Sequence, residues 1–198
     1  MHRENVTNKT AKIVSSENER LILVDSNDNQ TGELSKAECH DGAGRLHRAF
    51  SLFLFNEAGE LLLQQRAPGK RLWPGFWSNS CCSHPRQGET MEIAVVRRLQ
   101  DELHVQATLE YVYKFSYQAE YEDLGSEHEL CHVYLGTLDS EVRRNETEIE
   151  AIRYVSANEL NEMFRETPKQ FTPWFRMEWM RLNEDFADTL ARYTGKKL

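Results

Sequence analysis

The sequence predicts an α/β protein of the α+β kind, with mixed and antiparallel sheets packed with helices. Strand-like and helix-like segments are interspersed along it, and they do not follow the regular β-α-β succession of a doubly wound sheet. With 198 residues, 39% of them hydrophobic, the chain is long enough to bury one substantial core. A single domain over residues 19 to 198 is expected, preceded by a flexible tail, because residues 1 to 18 are polar and aperiodic.

Each element has its own signal. "RLILVD" (20–25) reads as a strand, and the Asn/Asp/Gly-rich stretch after it reads as a turn through Gly32. "AFSLFLFN" (49–56) and "ELLLQQR" (60–66) flank Ala58-Gly59 and read as a hairpin. Met91, Val95, Leu99 and Leu103 recur every fourth residue, which predicts an amphipathic helix over 89–103. Strand-like alternation returns in 109–119 and 129–138, with the acidic run "EYEDLGSEH" read as a linker between them. "AIRYVS" (151–156) is a further strand, and Ser156 with Glu159 has the spacing of a helix capping box. Phe175, Trp179, Leu182, Phe186 and Leu190, spaced by three and four, predict one C-terminal amphipathic helix.

Composition excludes several classes of function. A net charge of −8 argues against a surface that coats nucleic acid, since phosphate binding depends on clustered Lys and Arg. No apolar run approaches the roughly 18 residues of a membrane span, and the first twenty residues hold no secretory apolar stretch, so a soluble, cytoplasmic protein is expected. In a reducing compartment Cys39, Cys81, Cys82 and Cys131 are thiols or ligands rather than a disulfide framework. The vicinal pair in "SNSCCSHP" leaves three readings open: a redox pair, part of a metal site, or one reactive thiol beside a packing residue.

The stretch 83–105, "SHPRQGETMEIAVVRRLQDELHV", resembles the Nudix signature, with Glu89, Arg97, Leu99, Asp101, Glu102 and Val105 at corresponding places. It departs by placing Arg98 where a glutamate is usual, and Ser83 and His104 where glycines are usual. In Nudix hydrolases the helical carboxylates gather divalent metal beside a diphosphate. Arg98 removes one carboxylate from such a cluster and lies one turn before Glu102, an arrangement that suits holding a diphosphate more than hydrolysing it. A plain helix with Arg98 and Glu102 paired on its solvated face is the alternative.

"HDGAGRLH", "RLWPGFWSNSCCSHP", the modified box and "SEHELCHV", in that order, resemble type I isopentenyl diphosphate isomerases from about His40 to Trp174. The resemblance implies a Nudix-like fold and interconversion of isopentenyl and dimethylallyl diphosphate by protonation and deprotonation. It implies Cys82 as the catalytic thiol, with Cys81 packing, and Glu129 as the opposing carboxylate assisted by Tyr117. Glu129 with Tyr117 would protonate the terminal methylene and Cys82 would take the C2 proton; nearby cations are expected to lower the thiol's pKa from its ordinary value of about 8.5.

The resemblance also implies a divalent metal (Zn²⁺, Mn²⁺ or Mg²⁺) on His40, His47, His84, Glu127 and Glu129, and Mg²⁺ bridging Glu102 to the diphosphate. Alternation places Glu127 and Glu129 on one side of a strand. Lys36, Arg66, Lys70 and Arg98 would grip the diphosphate, and Trp174 and Trp77 would wall the hydrocarbon end, where an aromatic face favours a developing carbocation. The implied partner is a C5 prenyl diphosphate, met by a monomer without nucleic acid or membrane. A Nudix hydrolase of a diphosphate and a non-catalytic metal-binding module are the rival readings.

Overall fold

In a computed structural model, residues 13 to 195 are described. The order is β1 (Arg20–Val24), β2 (Gln30–Ser35), α1 (Lys36–His40), β3 (His47–Phe55), β4 (Leu61–Arg66), β5 (Trp77–Ser78), β6 (Cys81–Ser83), α2 (Met91–Leu103), β7 (Thr108–Tyr121), β8 (Gly125–Thr137), β9 (Ile149–Val155), α3 (Ala157–Glu166), α4 (Pro173–Asp185) and α5 (Ala187–Thr194). β3 is the centre. It runs parallel to β8 and antiparallel to β1, β4 and β6. The sheet is therefore mixed, as the interspersed elements predict.

Period-two alternation divides β3 between two layers. Its even positions Phe50, Leu52 and Leu54 pack with Leu62, Cys81 and the apolar stripe of α2. Its odd positions Ala49, Phe53 and Phe55 pack with Cys131, Val133, Trp174, Phe175 and Trp179, beneath α3, α4 and α5. The β3–β4 turn closes at Gly59 (φ +75), where a Cβ would lie 2.7 Å from the Thr194 backbone, so the close approach of α5 requires glycine.

Four expectations change. The acidic run 120–128 is no linker: β7 and β8 stay paired up to Tyr121↔Gly125, which leaves a three-residue turn and puts Glu127 and Glu129 on one strand. The segment through Gly32 is partly strand β2; the turn itself is built by Asp25, whose carboxylate accepts from the backbone of Asn27 and Asn29. The C-terminal stripe is two helices, broken at Phe186 (φ −130, ψ 30). Of the tail expected over 1–18, residues 1 to 12 lie outside the described residues, whereas Val14 is buried and its carbonyl accepts from Arg86 and Arg98.

The box helix α2 keeps its predicted stripe, and Ser156 caps α3 through the Glu159 N–H. His104 caps α2 in the left-handed conformation (φ 56), and its ring Nδ1 lies 2.7 Å from the Arg143 carbonyl. The backbone thus keeps a glycine-like shape at 104 without glycine, a conformation histidine tolerates better than most residues. Ser83 lies in β6 and has no positive φ.

Candidate active site and metal centre

Five ligand-bearing side chains converge where α1, β3, β6 and β8 meet. α1 ends in His40, β3 begins with His47, His84 follows β6, and β8 supplies Glu127 and Glu129. One ligand atom from each lies within 4.8 Å of all the others. Register explains the convergence: His47 stands opposite Glu129 in the parallel β3–β8 pair, and Glu127 is two residues earlier on the same face. Gly125 (φ +143) admits α1 to this corner, since a Cβ there would lie 2.3 Å from the His40 carbonyl.

The donor set fits a divalent cation. His40 Nε2, His47 Nε2 and Glu127 Oε2 are buried with no hydrogen-bond partner. His40 Nε2 and Glu127 Oε2 are only 2.9 Å apart, so the pair is close without being aligned, as expected when both lone pairs aim at a third point. His47 Nδ1 is 2.7 Å from the Arg45 carbonyl, which fixes the proton on Nδ1 and leaves Nε2 free to ligate. Burial lowers His47 to about 4 and lowers His84 as well, so both imidazoles are neutral, the ligating form.

The two carboxylates differ. Burial opposes ionisation of Glu127, but contact with His40 and the other imidazoles overrides it and holds the carboxyl well below its ordinary range. Glu129 is pushed well above that range by burial and by the charge on Glu127. It accepts from Tyr117 Oη at 2.6 Å and lies 2.8 Å from His84 Nε2. Metal-ligand and proton-transfer geometry meet in this one residue.

Cys82 and Cys81 are separated by the sheet. Cys81 is fully buried in the α2 layer, whereas Cys82, opposite Ser51, opens onto a cavity of about 50 Å³ shared with Glu129, Tyr117 and Trp174. Burial pushes the Cys82 thiol up to about 12 against the pull of Arg66, with Glu102, Glu129 and Glu178 adding to the rise. The expectation of a cation-lowered pKa is thereby corrected: desolvation and three carboxylates outweigh one guanidinium. Cys82 is only half-buried by surface, but the surface it shows faces the cavity, and the shift follows its depth.

Lys36, Arg66, Lys70 and Arg98 all border this cavity. Arg66 donates to the carbonyls of Leu72 and Trp73 and lies 5.3 Å from the Trp174 ring centroid. Lys70 donates to Glu148 at 2.6 Å. Arg98 is 2% exposed and pairs with Glu102 and Glu148, so the alternative of a pair on a solvated helix face does not hold: the pair lies on the buried one. Burial works against the Arg98 charge, but those two carboxylates hold the proton more firmly than usual.

Trp174 walls the cavity as expected, and Trp77 does not. Trp77 pairs with Gln65 at the sheet margin and packs half-buried on the core. Trp73 backs Trp174 instead, edge-to-face at 5.2 Å. Glu102 also stands apart from the five-ligand group, its carboxylate taken by Arg98.

The NUDIX domain pattern matches residues 45–175. "Isopentenyl-diphosphate Delta-isomerase 1" of Photorhabdus laumondii is 41% identical over 87% of this chain and 99% of its own length. A Burkholderia multivorans protein named isopentenyl-diphosphate Delta-isomerase is 43% identical over 79% of this chain and 89% of its own. The chain belongs to the isopentenyl-diphosphate Delta-isomerase family of NUDIX domains. Solved structures agree on the fold: a Deinococcus radiodurans protein superposes with a TM-score of 0.62 at 24% identity over 75% of this chain and 90% of its own, and a Nudix hydrolase from M. smegmatis with 0.53 at 19% over 84% and 94%.

Several residues of the site carry no mark in the family motifs quoted from the sequence. Ser15 and Glu17 reach into the cavity from the N-terminal segment: Lys36 donates to Ser15 Oγ at 2.7 Å and lies 3.4 Å from Glu17. Arg71 opens the quoted stretch "RLWPGFWSNSCCSHP", which gives it no role, and it ties the α1 end to the β7–β8 turn through Asp41 and the Leu124 carbonyl. Glu148 gathers Lys70 and Arg98. For Glu178 a signal exists, since a carboxylate falls among the apolar positions 174, 175, 179 and 182 of a helix.

Proposed function

We propose that this chain interconverts isopentenyl and dimethylallyl diphosphate by adding a proton at one carbon and removing one from another. The supporting observation is a single cavity bordered by Cys82, the Tyr117–Glu129 pair and five cations, Lys36, Arg66, Lys70, Arg71 and Arg98. The curated relatives carry the isomerase name. A diphosphate hydrolase has less support, because Arg98 and its paired Glu102 occupy the helix where hydrolases gather carboxylates.

The roles follow from the electrostatics. Glu129 acts with Tyr117, whose hydroxyl donates to its Oε2, to deliver a proton to the terminal methylene. Cys82, as the thiolate, takes the C2 proton on sulfur; the high pKa of the thiol makes that thiolate a strong base, and the proton lost by the acid and the one gained by sulfur are rebalanced by exchange with water between turnovers. In the reverse direction the same two groups exchange roles. The cations hold the diphosphate, and Trp174 faces the carbocation-like carbon and covers it against water.

His40, His47, His84, Glu127 and Glu129 would hold a divalent ion, Zn²⁺, Mn²⁺ or Mg²⁺. Bound there, its charge would favour the ionised form of Glu129 and acidify groups attached to that carboxylate. Mg²⁺ at Glu102 beside the diphosphate belongs to the same proposal and requires Arg98 to release that carboxylate. On the same reading residues 19–198 form one isomerase domain, with residues 13–18 packed on its described part, and the protein acts as a cytoplasmic monomer. Among the described residues no helix is long and apolar enough to cross a membrane.

Turnover of isopentenyl diphosphate in deuterated water tests the reading. Deuterium in the methyl group of dimethylallyl diphosphate, with no free phosphate, is expected. Phosphate release without an allylic isomer would make the chain a hydrolase.

A further inference from the structure

Glu178 is a buried carboxyl to which the proposed chemistry gives no part. It is 0% exposed on α4, one helical turn beyond the cavity wall Trp174, among Phe175, Trp179 and Leu182. Its Oε1 lies 3.4 Å from the Cys131 sulfur, and that sulfur lies 3.4 Å from Ser51 Oγ. Its Oε2 has no hydrogen-bond partner.

Around Glu178 itself the packing is apolar, from Phe53, Phe175, Trp179 and Leu182, and there burying a carboxyl is unfavourable and an aliphatic side chain of similar size would pack better. Burial pushes the carboxyl up to about 8, with Ser51 and Cys131 partly opposing the rise, so at neutral pH it is mostly the uncharged acid. Such a group calls for an explanation other than stability.

Its position supplies one. Ser51 stands opposite Cys82 in the β3–β6 pair, and Cys131 is two residues beyond Glu129 on the same face of β8. The carboxyl therefore touches β8 directly and reaches β3 through the Cys131 sulfur, beside the strands that present the two proton-transfer groups, and its own helix presents the aromatic wall. We propose that Glu178 is a positioning residue that, through Cys131 and Ser51, fixes α4 and Trp174 at a set height over Glu129 and Cys82.

Proton transfer to and from carbon depends on near-attack geometry, and a small misplacement of wall against floor costs rate while leaving the diphosphate grip intact. The cations Lys36, Lys70 and Arg98 lie on other elements, and Arg66, though it faces the Trp174 ring, is held by the Leu72 and Trp73 carbonyls, so KM is expected to change little. This inference rests on the isomerase reading.

The test compares Glu178→Leu and Glu178→Gln with the parent, all metal-loaded, for thermal midpoint, kcat and KM. Glu178→Leu is expected to melt at or above the parent temperature and to lose tenfold or more in kcat with KM within twofold. Glu178→Gln, which keeps an acceptor at Oε1 and matches the neutral acid in shape, is expected to stay within threefold of the parent kcat. A structural role alone would instead lower the midpoint and leave kcat of the folded fraction unchanged. Ser51→Ala probes the other end and is expected to lower kcat, with Glu178→Leu/Ser51→Ala no slower than Glu178→Leu. Parental kcat in folded Glu178→Leu, or in Ser51→Ala should the leucine variant not fold, overturns the proposal. A parent that makes no allylic isomer sinks the isomerase reading and this inference together, whereas an active parent with an equally active Glu178→Leu sinks the inference alone.

Discussion

Along β3 the even positions enter a layer with α2 that holds mostly aliphatic side chains and Cys81, while the odd positions share theirs with His47, Ser51, Cys82, Glu129 and Glu178. Both faces are buried. On the first, aliphatic burial dominates, each apolar side chain contributing roughly 1.5–3 kcal/mol, and the buried Arg98–Glu102 pair is the polar exception. On the second, polar groups are desolvated and compensated pairwise, Tyr117 on Glu129 and His40 beside Glu127. A single strand thus carries one face that stabilises and another that holds desolvated polar groups, those proposed to react among them, at some cost to stability.

Adjacent cysteines give the sharpest test of that division. Cys82→Ala is expected to lower isomerase turnover by about 10³-fold or more while changing stability by roughly 1 kcal/mol. Cys81→Ala is expected to keep turnover and to lose about 1–2 kcal/mol of stability as buried volume is removed. Equal loss of activity in both would break the comparison.

Deeper in the α2 layer, Leu52→Ala is expected to cost about 2–5 kcal/mol in chemical denaturation with little change in kcat below the melting range. A large kcat loss in the folded variant would mean that the two faces are coupled.

Glu178→Gln bears on the opposite face through pH. The parent carboxyl titrates near 4.5 when unfolded and at about 8 when folded, so between those values the folded protein holds the extra proton and this group's contribution to stability falls as pH rises. The variant should therefore gain over the parent by on the order of 3 kcal/mol more at pH 8 than at pH 5. A gain that does not change with pH would place Glu178 in a wetter setting.

The smallest effect is expected at the cavity mouth, where Glu17 lies 3.4 Å from Lys36 and 3.9 Å from Arg71. Glu17→Gln removes an internal anion that competes with the diphosphate, and KM is expected to fall about two- to fivefold, within the ~1 kcal/mol of an exposed ion pair. Raised KM would show instead that Glu17 orients Lys36.

How much of this was legible in the sequence depended on whether a residue's neighbours along the chain share its environment. The α2 stripe, the β3 and β4 runs and the Ser156 cap all follow from local spacing. β2 escaped because Gln30–Ser35 is nowhere fully buried and carries no apolar alternation, and the acidic run 120–128 concealed the tightest part of a hairpin. Motif resemblance named the five residues that the structure brings within 4.8 Å of one another and the cysteine that lines the cavity, and alternation put Glu127 and Glu129 on one side.

What the sequence by itself determined is which residues share a face, because strand and helix periods are properties of the local backbone. Only the tertiary structure decided what covers each face. It buried the Arg98–Glu102 pair under the N-terminal segment and Glu148, raised the Cys82 thiol where a lowered one was expected, placed Trp73 rather than Trp77 behind Trp174, and enclosed Glu178. Desolvation is set by segments distant in the chain, and no spacing rule records them.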